Sequence, residues 1–155
     1  MVEGLPSMVL RAIGVVRNEI KQPSMRDYEN VISDIVVDTN LTEALDNLEE
    51  FSHIIVFYWM DKVVTNQLPT KVHPRGNKKL PLVGLFATRS PKRPNPIGKT
   101  TVRLKKRQGN ILTVAGLDAT DGTPVIDIKP YLPSYDSVSE AKTPPWVLPN
   151  SSSYY

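Results

Sequence analysis

Hydrophobic residues along this chain form short runs separated by polar and proline-containing segments. Val9–Val16 and Val31–Val37 are rich in β-branched residues and bounded by polar clusters, a pattern typical of strands. His53–Met60 is a continuous apolar and aromatic run, which predicts a central strand buried on both faces. Further short strands are predicted at Leu82–Ala87, Thr100–Leu104, Ile111–Ala115 and Val125–Ile128.

The segments between these runs predict the connections. Thr39 and Asn40 are candidate caps for a short helix whose apolar residues have helical spacing: Leu41, Ala44, Leu45 and Leu48. Residues 108–110 predict a β-hairpin. Many short strands with one or two short helices predict a mainly β fold, a single-sheet closed or nearly closed β-barrel. We expect this domain to span residues 1–141, followed by a poorly ordered tail rich in Pro and Ser over residues 142–155.

Composition narrows the class of protein. A chain of 155 residues suits one domain with a substantial core. The absence of cysteine excludes disulfides, and with only two histidines we expect no metal site. No apolar run reaches membrane-spanning length, and the amino terminus lacks the regions of a signal peptide. We therefore expect a cytoplasmic protein that does not contact a membrane.

Charge is distributed unevenly along the chain. The formal net charge is only +3, but residues 62–117 contain 13 of the 19 Lys and Arg residues and no Asp or Glu. Such a block is the electrostatic footprint of a protein that binds phosphates. A solvated basic face without a partner produces the same pattern. Within the block, residues 62–81 predict a long basic loop, and loops of this length are uncommon unless they are functional or mobile.

The stretch from Leu85 to Gly98 contains three prolines, at positions 91, 94 and 96. Each proline fixes φ and removes a backbone donor, so the stretch is a stiff, extended loop. It nevertheless carries two arginines, an asparagine and two hydroxyl side chains. A rigid loop that holds such groups in place loses little entropy when it binds an anionic or polar ligand. The alternative is a surface crossover whose arginines face water.

A second polar stretch, Gly116–Tyr131, follows the predicted hairpin. Asp121-Gly122 is a strong turn signal within it. Three acidic residues, a lysine and a tyrosine lie in this short stretch, directly after the acid-free region. If the turn faces the Pro-rich loop, arginines and carboxylates meet at one pocket that suits a zwitterion with an amine and a carboxylate.

These stretches resemble the TsaA-like family, which includes tRNA methyltransferases. The resemblance covers residues 9–136 and rests on these motifs: Phe86–Pro91, Arg93–Gly98, Asp121–Val125, Asp127–Tyr131 and, less specifically, Leu45–His53. It implies S-adenosylmethionine as cofactor, and N6-methylation of threonylcarbamoyl-adenosine beside the tRNA anticodon. It also implies a barrel unlike the Rossmann methyltransferases, and a homodimer with the cofactor near the subunit interface. This chain is similar to a short form of the family, without a carboxy-terminal extension, and has Met60-Asp61 where bacterial members often have an aromatic residue and a histidine.

The implied cofactor presents a carboxylate, an ammonium, a sulfonium and an adenine ring. Arg89 or Arg93 suits the carboxylate, and Asp121 or Asp61 suits the ammonium or a ribose hydroxyl. Backbone groups of the two motifs are expected at the adenine edge, with apolar side chains around the ring. The predicted cofactor residues are Met60, Asp61, Arg89, Arg93, Asn95, Pro96, Ile97, Gly98, Leu104, Asp121, Gly122, Thr123 and Pro124.

Direct methyl transfer depends mainly on the alignment of nucleophile, methyl group and sulfur. The N6 atom of a carbamoylated adenosine must also lose a proton, and the candidate acceptors are Asp118, Asp121 and Tyr131. The sequence does not choose among them, and Asp121 and Tyr131 are retained as the catalytic candidates. Other interpretations are methylation of another RNA, a protein or a small molecule, a cofactor-binding module without activity, and a plain RNA-binding barrel.

Basic residues outside the cofactor motifs are expected to contact tRNA phosphates. They are Lys71, Arg75, Lys78, Lys79, Lys105, Lys106 and Arg107. The alternative for the basic loop of residues 62–81 is a lid over the cofactor pocket. Trp146 either packs the tail against the domain or stacks on a base.

Overall fold

A computed structural model describes residues 4–24 and 27–147. It contains eight strands: β1 (Gly14–Arg17), β2 (Ile32–Val37), β3 (His53–Trp59), β4 (Lys71–Val72), β5 (Val83–Gly84), β6 (Ile97–Gln108), β7 (Ile111–Ala115) and β8 (Pro124–Pro130). Six of them close into an antiparallel barrel in the order β1-β2-β7-β6-β3-β8, and β4 pairs with β5 in a separate two-stranded sheet. The predicted mainly β fold and closed barrel are confirmed.

Strand β3 is the central element of the barrel. It pairs with β6 over its full length and with β8 on its other edge. Ile54, Val56 and Tyr58 point into the core, while Ile55 on the other face is also only 5% exposed. Burial of both faces explains why this strand has a continuous apolar run instead of alternation. The prediction from the sequence is confirmed here.

Helices are short in the described part of the chain. Four 3₁₀ segments and one α-helix are present: Thr39–Leu45, Leu48–Glu50, Pro74–Gly76 and Leu85–Ala87, then α1 (Pro133–Asp136). The helix predicted after Thr39 forms as 3₁₀, and its cap is Asp38, whose carboxylate accepts from the Asn40 N–H at 2.9 Å. Leu45 is the one buried residue of that segment, so no broad apolar face requires α geometry there.

Several predicted strand boundaries were wrong. β1 begins only at Gly14, and Val9 is 98% exposed. The run Leu82–Ala87 forms the two-residue strand β5 and then a 3₁₀ segment, because pairing with β4 covers just Val83 and Gly84. β6 extends well beyond Thr100–Leu104, since its exposed polar residues are paired with β7 although they carry no apolar signal.

Gly98 of β6 permits a close approach inside the barrel. A Cβ atom at this position would lie 2.2 Å from Cε2 of Tyr58. The tyrosine ring therefore packs directly on the β6 backbone, and its hydroxyl lies 3.0 Å from Oγ1 of Thr100. This packing places Tyr58 at the base of the site described next.

Candidate functional site

A cavity of about 230 Å³ opens where β3 ends, and we call it the first cavity. The rings of Tyr28 and Tyr58, 3% and 1% exposed, belong to its lining. Most of the polar side chains that line it, apart from Ser24 of the β1–β2 loop, come from the segment after β3 and from the connection between β7 and β8. They are Asp61, Lys62, Asp118, Thr120 and Thr123.

Hydrogen bonds tie three loops together around the first cavity. Lys62 Nζ donates to the carbonyl oxygens of Lys21 at 2.8 Å and of Asp121 at 2.9 Å. Asn18 Nδ2 donates to the carbonyl oxygen of Ala119 at 2.9 Å. The β1–β2 loop, the segment after β3 and the β7–β8 connection are thereby held in one arrangement. Two polar side chains thus determine the shape of the cavity.

The carboxylate of Asp121 belongs to this network. Its Oδ2 accepts from Lys21 Nζ at 2.9 Å, and its Oδ1 accepts from the Asn18 backbone N–H at 3.2 Å. The hydrogen bond from Lys21, followed by that from Asn18, holds the pKa of Asp121 below its ordinary value. A carboxylate that is already bonded and has a lowered pKa is a poor proton acceptor. The geometry therefore argues against the predicted catalytic role of Asp121.

The other predicted catalytic residue, Tyr131, lies at the opposite end of the barrel. Its backbone N–H donates to the carbonyl oxygen of His53 at 3.1 Å, and the two rings meet edge to face with centroids 6.4 Å apart. His53 begins β3, whereas the first cavity lies beyond Trp59 at its end, about 20 Å away at the usual strand rise. Tyr131 therefore does not line this cavity, and its catalytic role stays a prediction. Asp118 is the candidate acceptor that lines the cavity.

Five of the predicted cofactor residues lie in the lining of the first cavity or in the barrel interior. Met60, Asp61 and Thr123 line the cavity. Leu104 is a core residue, 9% exposed, and Gly98 lies beneath the Tyr58 ring. Gly98 therefore lies under the cavity, whereas Leu104, whose N–H donates to the carbonyl oxygen of Ser52 at 2.9 Å, lies towards the opposite end of the barrel. Neither residue lines the first cavity, and their contact with the cofactor stays a prediction.

Backbone groups expected at the adenine edge are already bonded within the protein. The hydrogen bonds run from Gly122 N to Val16 O (2.8 Å), Thr123 N to Thr120 O (3.2 Å), Ile97 N to Asn95 O (2.7 Å) and Met60 N to Pro96 O (2.8 Å). Pro124 has no N–H and begins β8. These N–H groups stabilise the walls of the site, and recognition of the adenine edge by the backbone of the two motifs stays a prediction.

A second cavity, of about 400 Å³, lies on the other side of the Pro-rich loop. Arg75, Phe86, Arg89 and Trp146 line it. Pro91 of the same loop lines the first cavity, so residues 88–91 separate the two. Arg89, predicted for the cofactor, therefore lies beside Arg75, predicted for RNA. Residues 143–147 of the predicted tail reach this cavity, and residues 148–155 lie outside the described residues.

Arg93 stabilises the Pro-rich loop from within. Its Nη1 donates to the carbonyl oxygens of Thr88 at 2.9 Å and Ser90 at 3.3 Å. The guanidinium carbon also lies 5.5 Å from the centroid of the Phe86 ring. These contacts, together with the prolines, hold the loop in one conformation. Arg93 therefore has a structural role that the sequence did not predict.

Arg107 is bonded to the segment after β2. In that segment its guanidinium donates to Thr42 O (3.1 Å), Leu45 O (3.0 Å), Asp46 Oδ1 (2.9 Å) and Glu49 Oε2 (3.3 Å), and its Nε also donates to Gly109 O (2.9 Å). The hydrogen bond from its side chain to Asp46 raises the pKa of Arg107 further. The prediction that Arg107 contacts RNA is wrong, because its donors are engaged within the protein.

The remaining lysines predicted for RNA fall into two places. Lys71, Lys78 and Lys79 are exposed on the segment that carries Arg75. Lys105 and Lys106 are also exposed, but they lie in the half of β6 away from the first cavity. The first group therefore shares a segment with lining residues of the second cavity, whereas Lys105 and Lys106 belong to the lining of neither cavity.

Sequence reasoning missed the contribution of the β1–β2 loop. Pro23, Ser24 and Tyr28 line the first cavity. Their loop has no apolar periodicity, and the one available signal was an aromatic residue in a polar segment. Lys62 was counted only as a member of the basic block, although its ammonium bridges two loops.

Two features are absent from the described residues. No three His, Asp or Glu side chains within residues 4–24 and 27–147 are grouped so that they could hold a metal ion. Within those same ranges no helix has both the length and the apolar character needed to cross a membrane.

Comparison with known proteins gives a consistent set of matches. The family described as the tRNA-methyltransferase O N-terminal domain matches residues 17–137. An S-adenosyl-L-methionine-binding protein of Archaeoglobus fulgidus is 41% identical over 137 residues, covering 86% of this chain and 96% of that protein. The tRNA (adenine(37)-N6)-methyltransferase of Escherichia coli K12 is 38% identical over 151 residues, covering 88% of this chain and 63% of the enzyme.

The fold comparison agrees. The crystal structure of TrmO from Pseudomonas aeruginosa superposes with a TM-score of 0.74 at 28% identity, covering 92% of this chain and 62% of that one. A second Archaeoglobus fulgidus relative, described as a probable S-adenosyl-L-methionine-binding protein, is 42% identical over 137 residues, which are 86% of this chain but 36% of that protein. The chain therefore spans less than two thirds of several of the proteins that it matches.

Proposed function

Because this chain belongs to the tRNA-methyltransferase O N-terminal domain family, we propose that it transfers a methyl group from S-adenosylmethionine to N6 of an adenine in tRNA. The resemblance to the TsaA-like family is confirmed by this membership. The observation that carries the proposal is the first cavity, where Met60 and Asp61 after β3 meet residues 118–123. These two parts of the chain are far apart in sequence, and the barrel brings them together.

The first cavity suits the cofactor chemically. Asp61 and Asp118 offer carboxylates for an ammonium or for ribose hydroxyls, and Tyr28, Tyr58 and Met60 offer apolar surface for an adenine ring. S-adenosylmethionine supplies, when bound, a methyl group activated on a sulfonium. The task of the protein is then to position the acceptor and exclude water, which the clamped loops favour.

We assign proton acceptance to Asp118, the predicted acceptor that lines the first cavity and is half-buried there. The proposed acceptor is N6 of threonylcarbamoyl-adenosine beside the anticodon, an assignment supported by the motif resemblance. The exposed lysines 71, 78 and 79 are proposed to contact phosphates of the same RNA. The protein is proposed to act in the cytoplasm.

We further propose that the protein works as a homodimer with the cofactor near the subunit boundary. The first cavity, about 230 Å³, is smaller than typical small-molecule pockets of about 300–1,000 Å³. A second subunit over its mouth would enclose the ligand further. Light scattering is expected to give twice the chain mass of 17.3 kDa. A monomer that still transfers methyl groups would contradict this part.

Transfer of labelled methyl groups from S-adenosylmethionine to tRNA tests the proposal. We expect label at an adenine of tRNA, and no transfer to tRNA that lacks the threonylcarbamoyl group. Asp118→Asn is expected to lower kcat by about 100-fold, the usual worth of a general base. Glu140→Gln, an exposed acid outside the lining of the first cavity, is the matched control and should leave kcat unchanged.

A second candidate function is cofactor binding without catalysis. It is favoured by the Archaeoglobus fulgidus protein of similar length, which is described as an S-adenosyl-L-methionine-binding protein. On this alternative, calorimetry would detect binding of S-adenosylmethionine and S-adenosylhomocysteine, but no tRNA would accept label. Binding and transfer measured on one preparation therefore separate the two functions.

A further inference from the structure

We propose that the second cavity binds an unpaired nucleotide of an RNA strand, with its base against Phe86 and Trp146 and its phosphate at Arg75 and Arg89. The inference rests on the proposed RNA substrate, and it adds a nucleotide site separate from the first cavity. Four residues from two distant parts of the chain form this site.

The described lining residues of the second cavity include two arginines and no acidic residue. All its described lining residues come from residues 74–89 and 143–147, and neither segment contains Asp or Glu. Arg75 and Arg89 both line it. Guanidinium groups bind phosphate oxygens in a planar, bidentate geometry. An anionic ligand is therefore favoured over a cationic one.

Two aromatic residues give the cavity its second property. Phe86 is 76% exposed, an unusual position for a large apolar ring, and Trp146 from the other segment lines the same space. Stacking of unpaired bases on aromatic rings is the common mode of single-stranded RNA recognition. The contact of Arg93 with Phe86 keeps that ring on a rigid loop before any ligand binds. A base together with a phosphate is the chemistry that matches both properties.

The position of the second cavity supports a nucleotide of the substrate strand. Thr88 and Arg89 line it, while Pro91 lines the first cavity. Three residue steps span at most about 10 Å of extended chain. An RNA strand that presents a base to the first cavity therefore passes the second. Its volume of about 400 Å³ also accommodates a nucleobase with its sugar.

Trp146 is itself the probe that tests this site. The chain has two tryptophans, so Trp59→Phe leaves Trp146 as the fluorophore. Titration of this full-length variant with an RNA pentanucleotide is expected to quench its fluorescence saturably. The matched variant Trp146→Phe retains Trp59, which lies on β3 away from the second cavity, and should show no such quenching.

Substitutions at the cavity measure its share of RNA binding. Phe86→Ala and Trp146→Ala are each expected to weaken binding of the pentanucleotide by about 5-fold or more. Arg75→Gln should lower the slope of log affinity against log salt by about one unit. The double variant Lys105→Gln, Lys106→Gln removes two exposed charges outside the lining of the second cavity and should leave the Trp146 quenching unchanged.

Three results would overturn the inference. One is equal RNA affinity in Phe86→Ala, Trp146→Ala and the wild type, with fold checked by thermal melting. Another is equal quenching by S-adenosylmethionine, which would make the cavity part of the cofactor site. The third is quenching by another ligand that is as strong as quenching by the RNA pentanucleotide. Such quenching by adenosine monophosphate would indicate a site for free nucleotides, and by an unrelated peptide it would indicate a protein surface. Methyl transfer to tRNA is measured separately. Its failure in the wild type would refute the proposed function, whereas the nucleotide site is judged by the quenching of Trp146.

Discussion

The two ends of the barrel each contain a basic side chain that joins separate segments, with different consequences. Near the first cavity, Lys62 donates to the carbonyl oxygens of Lys21 and Asp121, and the loops it joins surround open space. At the other end, Arg107 donates to residues 42–49, and its side chain is only 13% exposed. Both residues belong to the same acid-free block of sequence. Basic residues of one stretch of sequence therefore differ in their surroundings: Lys62 lines the first cavity, whereas Arg107 holds another segment of the chain.

The two ends differ because the acceptors bonded to Lys62 and those bonded to Arg107 come from different parts of the chain. The acids that bind Arg107 lie about sixty positions earlier, in the acidic first half of the chain, as the separations of 61 and 58 residues show. Lys62 instead donates to the backbone carbonyl oxygens of Lys21 and Asp121, in two of the loops that surround the first cavity. Substitutions at the two ends are expected to separate stability from cofactor binding.

The largest effect is expected from Gly98→Ala under the first cavity. The added Cβ would lie 2.2 Å from the Tyr58 ring, and the paired β6 backbone leaves little room to relax. We expect a loss of about 1–3 kcal/mol in unfolding free energy, measured by urea denaturation, together with loss of cofactor binding. Gly84→Ala is the matched control, because nothing lies within 4 Å of its added Cβ. Equal stability of the two variants would contradict the packing argument.

Arg107→Met should destabilise the fold and spare the cofactor. The substitution keeps much of the apolar stem and removes the hydrogen bonds to residues 42–49. Thermal melting should occur at a clearly lower temperature, while the affinity for S-adenosylmethionine stays within about twofold, as for distant independent sites. A loss of cofactor affinity at constant melting temperature would show that the two ends are coupled.

Lys62→Met should produce the opposite pattern. Without its ammonium, the β1–β2 loop and the β7–β8 connection lose their shared donor. We expect the Kd for S-adenosylmethionine in calorimetry to rise by about tenfold, the worth of a charged hydrogen bond, with a small change in melting temperature. Lys106→Met, an exposed lysine in the other half of the barrel, serves as the control and should leave Kd unchanged.

The smallest effect is a pH dependence at Asp121. Hydrogen bonds from Lys21 and Asn18 lower the pKa of Asp121, so its ionised form stabilises the fold. This contribution is complete above the ordinary aspartate pKa and is lost as the pH falls through the lowered pKa. The melting temperature of Asp121→Asn should therefore lie below that of the wild type at pH 7 and approach it in acid. A difference that is independent of pH would refute the linkage.

The sequence alone determined the strands and the family. Apolar runs and turn residues are local features, so His53–Met60 and the hairpin at residues 108–110 were predicted close to where they form. Boundaries were less predictable, because β6 continues through exposed polar residues that are held only by pairing with β7. The closed barrel itself followed from the number and spacing of the short strands.

Tertiary structure alone decided which motif residues share a cavity. Asp61 and Thr123 were predicted together and do meet, but Tyr131 lies at the far end of β3 although it belongs to a neighbouring motif. An extended strand rises about 3.3 Å per residue, so the eight positions between Thr123 and Tyr131 span about 25 Å, and alternate residues face opposite ways. Whether Arg107 meets solvent or Asp46 depends on chain closure over about sixty residues, which no local pattern encodes.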